Sequence, residues 1–210
     1  MASWSPQLGQ PKPLHPILLV ADAEALLLAA KKDDAAARGA VERALAGLLY
    51  EDASGKLVAR DTSGSARSSG AIDFAQRIKS KVEKPEDAVT IADANDKAAA
   101  RAVEGDEAAA ARELASALTR AEGSSVTVGG ATGAIRFNLA LLARRTGDLA
   151  AARDHVTAAL VSLRREVGED HVRVGAALAL EAQILGKLGS AESPLRADAA
   201  AAIFVKRAVR

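Results

Sequence analysis

The chain of 210 residues has no cysteine, one tryptophan, one tyrosine and three phenylalanines. Without cysteine there is no disulfide scaffold and no thiolate-held zinc or iron–sulfur centre. The aromatics are Trp4, Tyr50, Phe74, Phe137 and Phe204. With so few aromatics and few β-branched runs, little in the chain favours a sheet. An excess of one charge is missing as well, since Lys plus Arg is 28 against 27 for Asp plus Glu. That balance gives no footprint for nucleic acid or for an anionic membrane surface. No apolar run approaches the ~18 to 20 residues of a membrane span. Near the start, the apolar runs 16–21 and 25–30 are separated by Asp22 and Glu24, which also interrupt any signal-peptide core. The chain is therefore read as soluble and cytoplasmic. A G-x-S-x-G nucleophile elbow is absent, as is a cysteine nucleophile.

What is present in quantity is alanine, 51 residues of the 210. Alanine is the best helix former because it loses no side-chain entropy and does not crowd the preceding turn. The composition implies an all-α protein whose small side chains let helix axes approach closely.

Punctuation along the chain divides it into four parts. Residues 1–15, polar and interrupted by proline, read as a loose N-terminal arm. Residues 16–50 read as a first helix pair, with helices over 16–32 and 33–50. Residues 51–83 read as a flexible insertion, because 54–70 is rich in Ser and Gly and has no period. Within it, Ile72, Ala75, Ile78 and Val82 have the spacing of a short amphipathic helix. A passive linker accounts for 54–70 better than a docking or phosphorylation segment. Residues 84–210 then read as three helix pairs. Pro85, followed by Glu86 and Asp87, suits the start of the first. Gly105-Asp106, Gly147-Asp148 and Gly189-Ser190 split the three pairs.

These turns recur at a fixed interval. From Gly105 to Gly147 is 42 residues, and another 42 reaches Gly189. Lys32 begins a comparable segment before the insertion. Seven positions before each punctuating residue stand Ala25, Ala98, Ala140 and Ala182. Twelve positions after it stand Ala44, Ala117, Ala159 and Ala201, and five after it stand Ala37, Ala110, Ala152 and, in the last unit, Pro194. One such coincidence is weak in an Ala-rich chain. Several columns that share a register with the turns and with Leu45, Leu118 and Leu160 indicate a repeat. Small residues at a fixed place in each unit are what closely crossing helices require. A pair that cannot bury its apolar face alone stacks on its neighbours, which implies an α-solenoid of about four antiparallel pairs.

With the run Asn138-Leu139-Ala140, the Gly147-Asp148 turn, Ala152, Val156 and Ala159-Leu160, the third unit resembles the tetratricopeptide repeat. The usual unit of that family has about 34 residues. A unit of 42 with a Gly168–His171 connection is similar to the longer-helix subtype of kinesin light chains. The extra length corresponds to roughly one more turn in each helix. Arg101 and Glu181 stand where the family usually has large aromatic residues, so the other units are divergent.

The resemblance implies a non-catalytic scaffold or adaptor that binds a peptide or helical segment of another protein on the concave face. Asn138, Leu141, Arg144 and Arg145 of the third unit, with Gln183 and Lys187 of the fourth, would face that groove. An Asn amide can grip a peptide backbone by donating and accepting at once. Arg and Lys would favour an acidic ligand. The alternatives are a structural accessory or self-associating subunit and, less favoured, a helical enzyme with an unrecognised site. No cofactor or metal is expected. His155 and His171 lack the convergent spacing of a ligand set, and His171 suits a capping or packing role. The glycines at 129–133 lack a P-loop ending. A helix-entry loop with Thr132 as N-cap explains them better.

Overall fold

A computed structural model describes residues 45, 47–52, 54–59, 85–123 and 131–208. The expected arm at 1–15, nearly all of the first helix pair, the helical spacing at 72–82, and Ala25, Ala37 and Ala44 lie outside the described residues. What is described is mostly helical, as the composition implies. Six helices come after a small hairpin: β1 (Leu49–Glu51), β2 (Leu57–Ala59), α1 (Pro85–Val103), α2 (Glu107–Gly123), α3 (Ala131–Thr146), α4 (Leu149–Val167), α5 (Val172–Lys187) and α6 (Ser193–Ala208). Among the described residues, no helix is long and apolar enough to cross a membrane.

The helix boundaries arise from local chemistry. Gly105, Gly147 and Gly189 have φ of 101°, 87° and 70°, the left-handed region that ends a helix without a Cβ clash. At Gly105 and Gly189 the closing bonds are those of a Schellman turn. The Gly105 N–H donates to the Ala102 carbonyl and the Asp106 N–H to the Arg101 carbonyl, and Gly189 and Ser190 repeat the pattern on Gly186 and Leu185. The aspartate after each of the first two glycines caps the next helix. Asp106 accepts from the Ala109 N–H at 3.0 Å, and Asp148 accepts from the Ala151 N–H at 3.0 Å. The Ser190 hydroxyl accepts from the Glu192 N–H at 3.3 Å, just ahead of α6. His171 is the N-cap of α5, its Nδ1 accepting from the Arg173 N–H at 3.2 Å. Thr132 is not a cap: it lies inside the first turn of α3.

Each helix packs on the next in sequence, and α3 packs in addition on both α1 and α5. The small-residue columns sit at these contacts. Ala98, Ala140 and Ala182 are buried, as are Ala110, Ala152, Ala117 and Ala159. The last unit departs from the columns, with Ala201 half-buried and Pro194 exposed. Two glycines 42 residues apart, Gly133 and Gly175, sit at close helix crossings. A Cβ at Gly133 would lie 2.6 Å from Leu163 Cγ on α4, and one at Gly175 would lie 2.9 Å from the Phe204 ring on α6.

The hairpin is the main departure from the sequence reading. The sequence predicts a helix running to residue 50 and a flexible stretch over 51–83, yet 49–51 and 57–59 pair as antiparallel strands. Gly47, at φ 78°, takes a conformation that a helix cannot continue through. Asp52 then closes the reverse turn: its Oδ1 accepts from the Ser54 N–H, the Ser54 hydroxyl and the Lys56 N–H. Gly55 occupies the left-handed position that the turn needs. Leu45, Leu48, Leu49 and Leu57 join the same apolar core as the helices, with β1 against α3 and β2 against α1.

Enlarging either kind of small contact is expected to destabilise the fold. Ala140→Leu should cost about 1–3 kcal/mol by overpacking. Gly133→Ala should also lose stability, because the clash with Leu163 exceeds a helix-propensity gain of at most about 1 kcal/mol. Urea unfolding of the two variants checks this, and a neutral Ala140→Leu would show that the contact register is wrong.

Candidate functional site

On a helix, positions 138, 141 and 145 recur at intervals that keep them on one face. In α3 that face carries Asn138, Leu141 and Arg145, and it looks onto the hairpin. Asn138 is fully buried. Its Oδ1 accepts from the Leu49 N–H at 2.7 Å, while its Nδ2 donates to the Gly47 carbonyl at 2.8 Å and to Asn95 Oδ1 at 2.9 Å. Asn95, on α1, donates its own Nδ2 to the same Gly47 carbonyl at 2.8 Å. Both amide orientations are fixed by their partners. A backbone N–H can only donate and a carbonyl can only accept, so flipping either side chain would set like against like. Gly47 allows this approach because it has no Cβ; one would lie 2.9 Å from Asn95 Nδ2.

About two turns further along α3 the hold becomes ionic. Arg144 is 7 % exposed, and its Nη2 pairs with Glu51 Oε2. Arg145 spans two acids: Nη1 donates to Glu51 Oε1 at 2.7 Å and to the Gly55 carbonyl at 2.8 Å, while Nη2 donates to Glu107 Oε1 at 2.7 Å. Glu107 first, and Glu51 after it, hold the Arg145 guanidinium even more firmly protonated than usual. The Arg144 Nε, by contrast, is buried without a hydrogen-bond partner. A shallow depression beside this cluster is lined by Leu49, Tyr50, Glu51, Leu141, Leu180 and Gln183 among others. Burial first, and then the Asp52 charge, push the Tyr50 hydroxyl above its ordinary range.

Five of the six residues proposed to face a groove thus gather around one segment, the turn at Gly47 and strand β1: Asn138, Leu141, Arg144, Arg145 and Gln183. Lys187 stays apart, exposed at the end of α5. The occupant is the chain's own hairpin. Asn95, Gly47, Glu51 and Glu107 complete the arrangement and were missed from sequence. Asn95 had a signal, since it stands 43 residues before Asn138, close to the repeat interval. Among the described residues, no group of three or more His, Asp or Glu side chains gathers as a metal site. His155 is half-buried on α4, its pKa lowered by burial first and then by the Arg136 charge. Gly133 proves to be a packing glycine. Comparison with known proteins finds no family model, no curated protein and no solved structure that matches the chain.

Removing the amide of Asn138 leaves the Leu49 N–H and Asn95 Oδ1 without that partner. At about 1–3 kcal/mol for each buried orphan, Asn138→Ala should destabilise the protein by several kcal/mol in urea titration, and a loss below about 1 kcal/mol would contradict the geometry. The turn predicts an acid response. The Ser54 hydroxyl first, and then the Lys56 N–H, hold the Asp52 carboxyl below its ordinary value of 3.8. A carboxyl lowered in the folded state adds stability above the unfolded value, and that stability is lost as pH falls through the folded one. Urea midpoints recorded from pH about 5 down to about 2 should therefore fall more steeply for the wild type than for Asp52→Asn, and equal slopes would contradict it.

Proposed function

We propose that the chain is a non-catalytic interaction module, a tetratricopeptide-like solenoid whose α1, α3 and α5 receive an extended segment of a partner protein. The observation that carries this reading is the two-sided hold of Asn138 on Gly47 and Leu49. An extended backbone offers a donor and an acceptor on one edge, and a fixed amide answers both without reading a side chain. Arg144 and Arg145 add a preference for an acidic residue beside that backbone, the place Glu51 takes. The packing of α3 on both α1 and α5 supports stacked pairs with their first helices adjacent.

One observation favours a second reading. Leu48, Leu49 and Leu57 are buried with the helices, which suits a closed structural subunit.

Selection of random peptides by display on the full chain separates the two. Selected peptides should bind the wild type, measured by fluorescence polarisation. They should bind a Gln183→Glu/Lys187→Glu variant about tenfold more weakly, a difference of ~1.4 kcal/mol. A selection that yields no binding peptide would contradict the interaction reading and favour the structural one.

A further inference from the structure

We propose that residues 47–51 are an internal ligand, and that the external partner is a segment of the same chemistry: a glycine, two apolar residues, a half-buried residue, and an acid. The inference rests on the interaction reading above and adds the identity of the occupant.

Three features of the site select this pattern. The first position must be glycine, because φ there is 78° and a Cβ would meet both Asn95 Nδ2, which shares the Gly47 carbonyl with Asn138, and Asp96 Oδ1. Positions two and three must be apolar, because Leu48 and Leu49 are 1 % and 0 % exposed. The fifth must be acidic, because Glu51 receives both Arg144 and Arg145. The fourth is less enclosed, since Tyr50 is half-buried and packs on the edge of the core.

Charge makes the fifth position the decisive one. Arg145 keeps Glu107 when the hairpin leaves. Arg144 is buried, and among the described residues its ion pair is with Glu51 alone, its Nε already lacking a hydrogen-bond partner. A guanidinium that loses its counter-ion is disfavoured, so the free groove is a minor state. The groove exchanges one acid-bearing segment for another. The tethered hairpin competes with every external segment, and the apparent affinity of the wild type is reduced by the fraction of molecules in which the groove is free.

The probe is a labelled synthetic peptide with the sequence of residues 47–52 (GLLYED), added to the full chain. In the Glu51→Lys variant the hairpin loses its hold on both arginines while the groove keeps them. That variant should bind the peptide at least about tenfold more tightly than the wild type does, and a peptide with lysine in place of its glutamate should bind neither. Equal binding of GLLYED to wild type and variant, or no binding to a variant with wild-type helical circular dichroism, would overturn the proposal. If Glu51→Lys does not fold, hydrogen exchange on the wild type decides. The Leu49 amide, held by Asn138, should exchange by local opening at least about tenfold faster than buried amides of α3, and added GLLYED should accelerate it by trapping the open form. Exchange of Leu49 at the global rate would overturn the proposal. Should display-selected peptides depend on Gln183 and Lys187 while GLLYED gains nothing, this inference falls and the interaction reading stands. If no peptide of any kind binds, both fall.

Discussion

An amide shut away from water must have its donors and acceptor answered from within the protein, and Asn138 meets that constraint by holding the backbone of Gly47 and Leu49. The rest of the arrangement depends on it. The bond to Leu49 fixes β1 against α3. The bond to Asn95 ties α3 to α1, and the shared Gly47 carbonyl brings both helices to one point of the hairpin. Leaving a buried group unpaired costs more than a pair contributes, so the hairpin is expected to leave both asparagines at once and not one at a time.

The arginines extend the same hold and explain its direction. Of the hairpin, Asn138 touches only backbone. Arg144 and Arg145 demand an acid two residues beyond Leu49, which sets the register of the strand. Glu107 on α2 shares Arg145, so the α1–α2 pair is connected to the hairpin through a charge as well as through the core. A neutral patch of two cations and two anions suits a site that must be largely dry. It would not suit one left open to solvent, where such pairs contribute little.

Much of the helical framework was legible in the chain. Gly105, Gly147 and Gly189 punctuate at 42-residue intervals, and Asp106 and Asp148 cap the helices that begin just after them. The alanine columns sit at helix contacts because only small side chains fit there. Gly133 and Gly175 carried the same interval but were hidden among the other glycines. The hairpin was not legible. Its first strand continues an apolar run from Leu45 to Tyr50 that suits a short helix or a strand equally, and only the left-handed Gly47 decides between them. Its second strand begins inside a Ser- and Gly-rich stretch whose composition masks the Asp52–Gly55 turn. The inward face of α3 was readable from spacing, but its occupant was not. Glu51 and Arg145 are 94 residues apart, and no local pattern encodes a contact at that range.

The central claim is that Asn95 and Asn138 hold Gly47 as one unit. A double-mutant cycle of Asn95→Ala and Asn138→Ala, read out by urea unfolding, tests it most directly. The two losses should fail to add by about 0.5–3 kcal/mol, because the first substitution already undoes much of what the second removes. Losses that add to within about 0.5 kcal/mol would contradict it, showing two independent side chains that happen to share a carbonyl.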